Sequence, residues 1–228
     1  MSDVPKHIGY ILDGNRRWAR SHGLPIYEGH LAGFNALKSV IEATADVGVE
    51  YISFYTFSTQ NWTRAKDEVR GLMRLIRRLF KSEIKELLKK GFKLVVIGDM
   101  SQVPDDIREM IVAAEHSSRS GTRATLVMCF SYGGQEEIVR ATQRLIRQGI
   151  AAEDVTVDTF AGALDHPEVP PCDLIVRTSG EQRLSDFMLW RAAYSEFLFL
   201  DKFWPEMTEE DVVAIIEEYN TRQRRFGA

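Results

Sequence analysis

Apolar and polar positions fall in blocks along the chain, and the block lengths predict strands alternating with helices. Ile8, Tyr10, Ile11 and Leu12 make a first apolar run, long enough for one buried strand. It breaks at Asp13-Gly14-Asn15, and Arg16, Arg17 and Trp18 follow as the chain turns helical. Ala19–Gly29 is polar and marked by Gly and Pro, and reads as a loop. From Leu31, apolar residues recur at helical spacing through Phe34, Leu37, Val40, Ile41 and Ala45, and Gly48 closes that helix. Val49–Phe57 is dense in β-branched and aromatic residues and reads as a buried strand. A long helix is expected from about Asp67 to Lys90, stopped by Gly91.

Phe92–Ile97, Thr125–Phe130, Asp173–Val176 and Phe197–Leu200 read as further strands. Helices are expected over 105–118, opened by Pro104, and over 136–148. Gly149–Pro171 is the least regular stretch, with one short helix near Phe160. Thr208-x-x-Asp211 has the form of a capping box for a last helix to about Arg224. Strands and helices in this order imply an α/β fold, a parallel sheet covered on both faces. No repeat, low-complexity stretch or linker divides residues 1–228, so one domain is expected.

Composition narrows the function classes. The 228 residues carry a net charge of −4, which argues against a general nucleic-acid binder and requires any polyanion site to come from clustered arginine. The two cysteines, Cys129 and Cys172, form no disulfide framework and no zinc spacing, which suits a reducing cytoplasmic setting. The start MSDVPKHIGY lacks the form of a signal peptide, and no apolar run is long enough to span a bilayer. A lipid substrate would be met at a membrane surface or inside a pocket, so peripheral membrane contact stays open.

Ligands of open parallel sheets sit beyond the carboxyl ends of the strands. Four of those ends carry unusual polar groups: Asp13-Gly14-Asn15, Ser58–Trp62, Gly133-Gly134 and Arg177–Ser185. Arg16, Arg17, Arg64, Arg177 and Arg183 lie around them, enough for a local anion site. At the first end, free helix N–H groups attract phosphate and Asp13 could hold a hard cation against it, so the stretch reads as a diphosphate–Mg²⁺ site. The plainer reading is a strand, an Asp-Gly turn with Asp13 as N-cap, and a basic first helical turn. The chain has no G-x-G-x-x-G after its first strand, no phosphate-loop G-x-x-x-x-G-K-[ST], no G-x-S-x-G and no H-E-x-x-H. His30 is the only histidine near the candidate site.

HIGYILDGNRRWAR, FYTFSTQNWTR, SYGGQEEI, DLIVRTSGEQRLSDFMLWRAAYSEFLFLDKFWPE and the terminal RRFG, in that order, resemble the cis-prenyltransferase family, of which undecaprenyl diphosphate synthase is the best-known bacterial member. The resemblance runs from His7 to Gly227. It implies a six-stranded, largely parallel sheet with helices around a hydrophobic tunnel, and a homodimer. It implies that Asp13 holds Mg²⁺, that Gly14, Asn15, Arg16 and Arg17 bind the diphosphate of the allylic starter beside Trp18, and that His30 lies next to that diphosphate. Ser58, Asn61 and Trp62 would stand at the tunnel mouth, with Asn61 near the reacting carbons and Arg64 just beyond. Arg177, Arg183 and Ser185 would hold the diphosphate of isopentenyl diphosphate, the homoallylic partner, and Glu196 would help order that site or its metal. Arg225 and Gly227 would reach into the partner's active site.

The sequence departs from the family pattern at several of these places. Ile26 stands where the long-chain synthases usually have an arginine, Gln60 where they have Glu, Gln135 where they have Arg, and Asp186 and Arg191 where Asn and Gln are more usual. Thr56 stands where the tunnel wall usually has Ala. A larger side chain there narrows a packed apolar channel, so the expected product is short, about ten to fifteen carbons.

Two enzymatic readings follow. One is a Mg²⁺-dependent head-to-tail addition of isopentenyl diphosphate to an allylic diphosphate, giving a short Z-prenyl diphosphate. The other, motivated by Gln60 and Ile26, is head-to-middle coupling of two allylic diphosphates, as in lavandulyl-type synthases. A non-catalytic subunit of a two-component prenyltransferase would lose the metal Asp and its neighbours, which this chain keeps. A nucleotide-binding module has no phosphate-loop signature to stand on.

Overall fold

A computed structural model describes residues 4–222. Six strands form one sheet: β1 His7–Ile11, β2 Tyr51–Ser58, β3 Lys93–Ile97, β4 Thr125–Tyr132, β5 Leu174–Arg177 and β6 Glu196–Phe199. Their order is β3-β4-β2-β1-β5-β6, and every pairing is parallel rather than mostly so. All carboxyl ends therefore face the same way. β1 lies inside the sheet and is buried along its whole length, which is why Ile8–Ile11 reads as an apolar run rather than an alternating one.

The helices are α1 Asn15–Ser21, α2 Ile26–Asp46, α3 Lys66–Leu79, α4 Lys85–Lys89, α5 Asp105–Ser117, α6 Gly134–Arg147, α7 Val157–Gly162 and α8 Glu209–Thr221. The single long helix expected after Asp67 is three pieces, because a π turn at Phe80–Ile84 joins α3 to α4. Thr208 caps α8 through Asp211 N–H as its sequence predicts. One face of the sheet packs against α2, α3, α5 and α8 through Leu37, Ile41, Leu72, Ile76, Ile107 and Ile215. The other face is covered by irregular chain, with Phe187, Met188 and Ala192 on Val127, Cys129 and Ile175. The outer edge of β3 is closed by side chains from the α5 region: Ser118 Oγ accepts from Leu94 N (3.0 Å) and Glu115 Oε1 from Val96 N (2.8 Å).

Residues 19–29 are not a loop. α1 runs to Ser21 and α2 already begins at Ile26. The glycines that suggested a loop are packing residues. A Cβ on Gly29 would collide with the Asn15 carbonyl, and one on Gly33 with the Asn15 side chain, so both let α1 lie directly against α2.

β2 carries a local irregularity. Tyr55 pairs with Cys129 and Phe57 with Phe130, which leaves Thr56 as an extra residue; Ser58 then pairs with Tyr132, which leaves Ser131 extra on β4. Ser131 has φ 49°, and the Thr56 hydroxyl donates to the Cys129 carbonyl at 2.9 Å. Paired bulges of this kind re-aim side chains at the end of a sheet.

Candidate active site

Beyond the carboxyl ends of β1, β2 and β5 lies a cleft of about 600 Å³. Asp13 follows β1 at its edge. Its Oδ1 accepts from Gly14 N at 2.7 Å and its Oδ2 from Arg177 Nη2 at 2.8 Å. Its carbonyl is held by Thr178 Oγ1 at 2.7 Å and Trp204 N at 3.0 Å. Gly14 has φ 104°, and a Cβ there would press on Phe203 and Ser179, so this turn requires glycine. Asn15 opens α1. Its Nδ2 donates to the Leu12 carbonyl at 2.9 Å, and its Oδ1 is buried without a partner.

Arg177, at the end of β5, is only 4% exposed. Besides Asp13 it donates to Ser185 Oγ at 2.8 Å and to the Arg183 carbonyl, and its Nε is buried without a partner. Arg16, Arg17, Arg20 and Arg64 complete a rim in which Asp13 is the only lining carboxylate among the described residues. Acidic residues just behind hold the rim apart: Glu68 lies 3.0 Å from Arg64 and 3.6 Å from Arg16, and Glu181 lies 3.1 Å from Arg17. His30 enters from α2. Burial, reinforced by Arg64 and Arg16, pushes its imidazole down to about 4, so the ring is neutral, and its Nε2 is buried without a partner.

The end of β2 supplies Thr56, Ser58, Gln60 and Asn61. Asn61 Oδ1 accepts from Ser58 N at 3.1 Å, which closes the short 3₁₀ turn Thr59–Thr63. Below the polar rim the cleft is floored by Phe34, Phe57, Leu72, Ile76 and Trp204.

Asp13, Gly14, Asn15, Arg16, Arg17, His30, Ser58, Asn61, Arg64, Arg177 and Ser185 thus line one space, as the strand-end argument expects. Other expected residues do not. Trp62 turns away: its indole donates to Ser131 Oγ at 3.0 Å and packs edge-on against Phe57, behind the turn instead of at its mouth. Trp18 stacks on His22, with ring centroids 4.3 Å apart, outside the lining. The Arg183 guanidinium is exposed and paired with Glu181; the residue reaches Arg177 only through its carbonyl. Glu196 opens β6, opposite Leu174, at the amino end of the sheet. Its carboxylate lies 3.3 Å from Arg222, so within one chain it does not share a metal with Asp13. Gly133-Gly134 stays behind the cleft, where Gly134 begins α6. Arg225 and Gly227 lie outside the described residues.

Arg20, Tyr55, Phe34, Leu72, Ile76 and Trp204 line the cleft without having been singled out. Arg20 was legible as the residue four after Arg16 on a helix, a signal that the loop reading hid. Leu72 and Ile76 carry the same i, i+4 signal but read as ordinary core. No group of three or more His, Cys, Asp or Glu among the described residues could hold a metal unaided. No helix among them is long and apolar enough to cross a membrane.

The family model for undecaprenyl diphosphate synthase matches residues 11–227. An isoprenyl transferase of Agrobacterium fabrum is 40% identical over 100% of this chain and 94% of its own length. The Micrococcus luteus ditrans,polycis-undecaprenyl-diphosphate synthase, specific for (2E,6E)-farnesyl diphosphate, is 38% identical over 99% and 92%. Among solved structures, the lavandulyl diphosphate synthase of Lavandula x intermedia, in complex with dimethylallyl diphosphate, superposes with a TM-score of 0.94 at 33% identity over 99% of both chains. The structure of a probable undecaprenyl diphosphate synthase from Campylobacter jejuni gives 0.84 at 28% identity over 100% of both. The strand-end chemistry and matches of this length agree: the chain belongs to the undecaprenyl diphosphate synthase family and is a cis-prenyltransferase.

Proposed function

We propose that this prenyltransferase is Mg²⁺-dependent and joins an allylic diphosphate to isopentenyl diphosphate, giving a short Z-prenyl diphosphate of about ten to fifteen carbons and releasing diphosphate. One observation carries the reading. Three buried polar atoms without partners among the described residues, Asn15 Oδ1, His30 Nε2 and Arg177 Nε, belong to residues that line one cleft with Asp13 and with apolar side chains. Buried polar atoms of this kind ask for a ligand with its own donors and acceptors. An anionic head on an apolar tail meets both halves of the cleft.

A lone carboxylate inside an arginine rim suits a cation that takes its other ligands from substrate phosphates and water, as Mg²⁺ does. Asp13 would hold it, and the ion would neutralise charge on the leaving diphosphate. Gly14 N–H, Asn15, Arg16, Arg17 and His30 bind and orient the starter's diphosphate. Arg177 and Ser185 anchor the second diphosphate. Ser58 and Asn61 fix the turn beside the reacting carbons. The allylic C–O bond breaks as charge gathers on the held oxygens, the second double bond closes on the freed carbon, and a proton leaves. Positioning and electrostatics do the work, with little covalent chemistry left to the chain.

The short product rests on Thr56 and on the apolar lining supplied by Phe34, Leu72 and Ile76. A cleft of this volume falls in the range of small-ligand pockets, about 300–1,000 Å³. A second reading is head-to-middle coupling of two allylic diphosphates. It is favoured by the likeness to the lavandulyl synthase and by Gln60 at the lining, where a carboxylate is usual. We further propose a cytoplasmic homodimer completed by Arg225 and Gly227, with peripheral membrane contact through the basic outer face of α3.

A Mg²⁺-dependent assay decides between the couplings. One mixture holds dimethylallyl or geranyl diphosphate with isopentenyl diphosphate, and the other holds allylic diphosphates alone. A linear Z-prenyl alcohol, found after dephosphorylation only when isopentenyl diphosphate is present, supports the first reading. A branched alcohol from allylic substrates alone replaces it with the second. No product from either mixture removes both.

A further inference from the structure

The turn Thr59–Thr63 brings Gln60 and Asn61 to the cleft, yet none of its five residues is buried. Its own bonds are local: Asn61 Oδ1 accepts from Ser58 N at 3.1 Å, and Thr63 Oγ1 donates to the Gln60 carbonyl at 2.8 Å. Such bonds close the turn without deciding where it stands. On the exposed side Thr59 Oγ1 reaches Glu136 Oε1 at 3.3 Å. The inward anchor is Trp62, which packs on the main core with its ring edge-on to Phe57, centroids 4.8 Å apart. Apolar packing has no direction of its own, whereas a hydrogen bond does. The Trp62 indole donates to Ser131 Oγ at 3.0 Å, the one acceptor it meets among the described residues.

Ser131 is placed to receive that N–H. It is buried and forms the extra residue of the β4 bulge, with φ 49°, a conformation rare for any residue but glycine. A bulge re-aims a side chain, and here the re-aimed hydroxyl meets the turn. The backbone is held from the far side, where Asp99 N donates to the Ser131 carbonyl at 2.9 Å. Gly98 permits this approach, since a Cβ there would collide with the Phe130 carbonyl. The facing bulge on β2 puts Thr56 in the cleft wall. One paired irregularity thus sets both the wall and the support behind the turn.

We propose that Ser131 is a positioning residue for prenyl transfer: through the Trp62 indole it fixes the turn that carries Gln60 and Asn61, and its strained backbone is what aims the hydroxyl at that indole. Neither Ser131 nor Trp62 lines the cleft. Asp13, Asn15 and Arg177 are held by bonds among the ends of β1 and β5 and the start of α1, none of which passes through Ser131. Losing the indole bond therefore slows the chemical step and spares diphosphate binding. The inference rests on the reading of this turn as standing beside the reacting carbons.

Three variants separate the parts. S131A removes the acceptor and keeps the strain, S131G removes both, and W62F removes the N–H and keeps a ring against Phe57. With Mg²⁺ and whichever substrate mixture gives product on wild type, each is expected to lose about tenfold in kcat, with KM for the diphosphates within about twofold. S131A/W62F should be no slower than the slower single variant, because both changes remove one bond. S131G should unfold at a higher denaturant midpoint than S131A and share its kcat; a merely structural Ser131 would make kcat follow stability. Hydrogen exchange of the indole N–H groups, read by NMR, needs no substrate. Exchange at Trp62 should quicken about tenfold in S131A and S131G, while Trp204, which donates to the Gly33 carbonyl, stays as in wild type. Should S131A fail to fold, S131G and W62F still decide. An unchanged kcat in these variants, losses that multiply in the double variant, S131G restored to wild-type kcat, or unaltered exchange at Trp62 each overturns the proposal. Wild-type protein that makes no product from either mixture overturns the proposed reaction, and indole exchange then decides the anchor by itself.

Discussion

Arg177 Nη2 lies 2.8 Å from Asp13 Oδ2, across the adjoining ends of β5 and β1. The guanidinium proposed to anchor one diphosphate therefore also holds the carboxylate proposed to take the metal. Arg177 is buried, and Asp13 is its only carboxylate partner among the described residues. Replacing Asp13 by Asn keeps the shape and removes the charge. D13N is expected to lower kcat/KM by about 10²–10³, the size of losing one preorganised electrostatic group. Steady-state kinetics across a Mg²⁺ titration measures this, and a D13N enzyme within threefold of wild type would remove Asp13 from the metal site.

His30 and His7 give the pH dependence a sign. Burial pushes both rings down to about 4 from an ordinary value of 6.5, and Arg64 and Arg16 help at His30. Between those limits the unfolded chain takes up protons that the fold refuses. Stability therefore falls as pH falls through about 6.5 to 4, by up to about 3 kcal/mol for the fully buried His7. Chemical denaturation across that window measures the loss. Diphosphate brings negative charge to His30 alone, so its ring titration should move upward with ligand while that of His7 stays put. NMR of the two rings, with and without inorganic diphosphate, reads both shifts.

Thr56 fills the bulge of β2 at the cleft wall. T56A should lengthen the product by at least one five-carbon unit. T56V keeps the volume and loses the hydroxyl bond to Cys129, so it should leave product length unchanged and cost about 1 kcal/mol of stability. Mass analysis of the dephosphorylated products, with unfolding curves alongside, separates volume from hydrogen bonding. Unaltered length in T56A would count against Thr56 as the gauge.

Gln60 lines the cleft beside Asn61. If lost charge there favours coupling of two allylic substrates, Q60E should raise the fraction of linear product in a competition containing isopentenyl diphosphate. Product ratios by gas chromatography show the change, and an unaltered ratio removes Gln60 from the choice.

Arg70, Arg74, Arg78, Lys81 and Lys85 are exposed along α3 and its continuation, and Leu72 and Ile76 on the same helix line the cleft. Sedimentation with anionic vesicles should capture the protein at low salt and release it as salt rises, while zwitterionic vesicles should not bind it. Equal binding to both would assign the contact to something other than this charged face.

The sequence was most legible where an apolar run ended abruptly in polar residues. Asp13, Ser58 and Arg177 close three such runs, and a parallel sheet must bring those ends together. It was least legible where the answer depended on partners far along the chain. Nothing local in Gly29 and Gly33 distinguishes a loop from a tight helix crossing; the Asn15 contacts do. Trp62 sits in a short turn whose two sides look alike in sequence, and only Ser131 on β4 selects the inner one. The bulges at Thr56 and Ser131 exist only in the pairing of two strands. Glu196 was drawn to the site by its motif, but register places it at the start of its strand, opposite Leu174.

β1 lies between β2 and β5, and His7 N is bonded to Asp173 Oδ2 at 2.9 Å. β1 thus leaves the ribosome long before its partner β5. Asp13 cannot meet Arg177 until a further 164 residues have been synthesised. Long-range parallel pairing of this kind folds slowly, and incomplete chains expose unpaired strand edges in the meantime. Early termination should therefore yield fragments that contain Asp13 and most of the arginine rim yet have no diphosphate site, and that depend on chaperones to stay soluble.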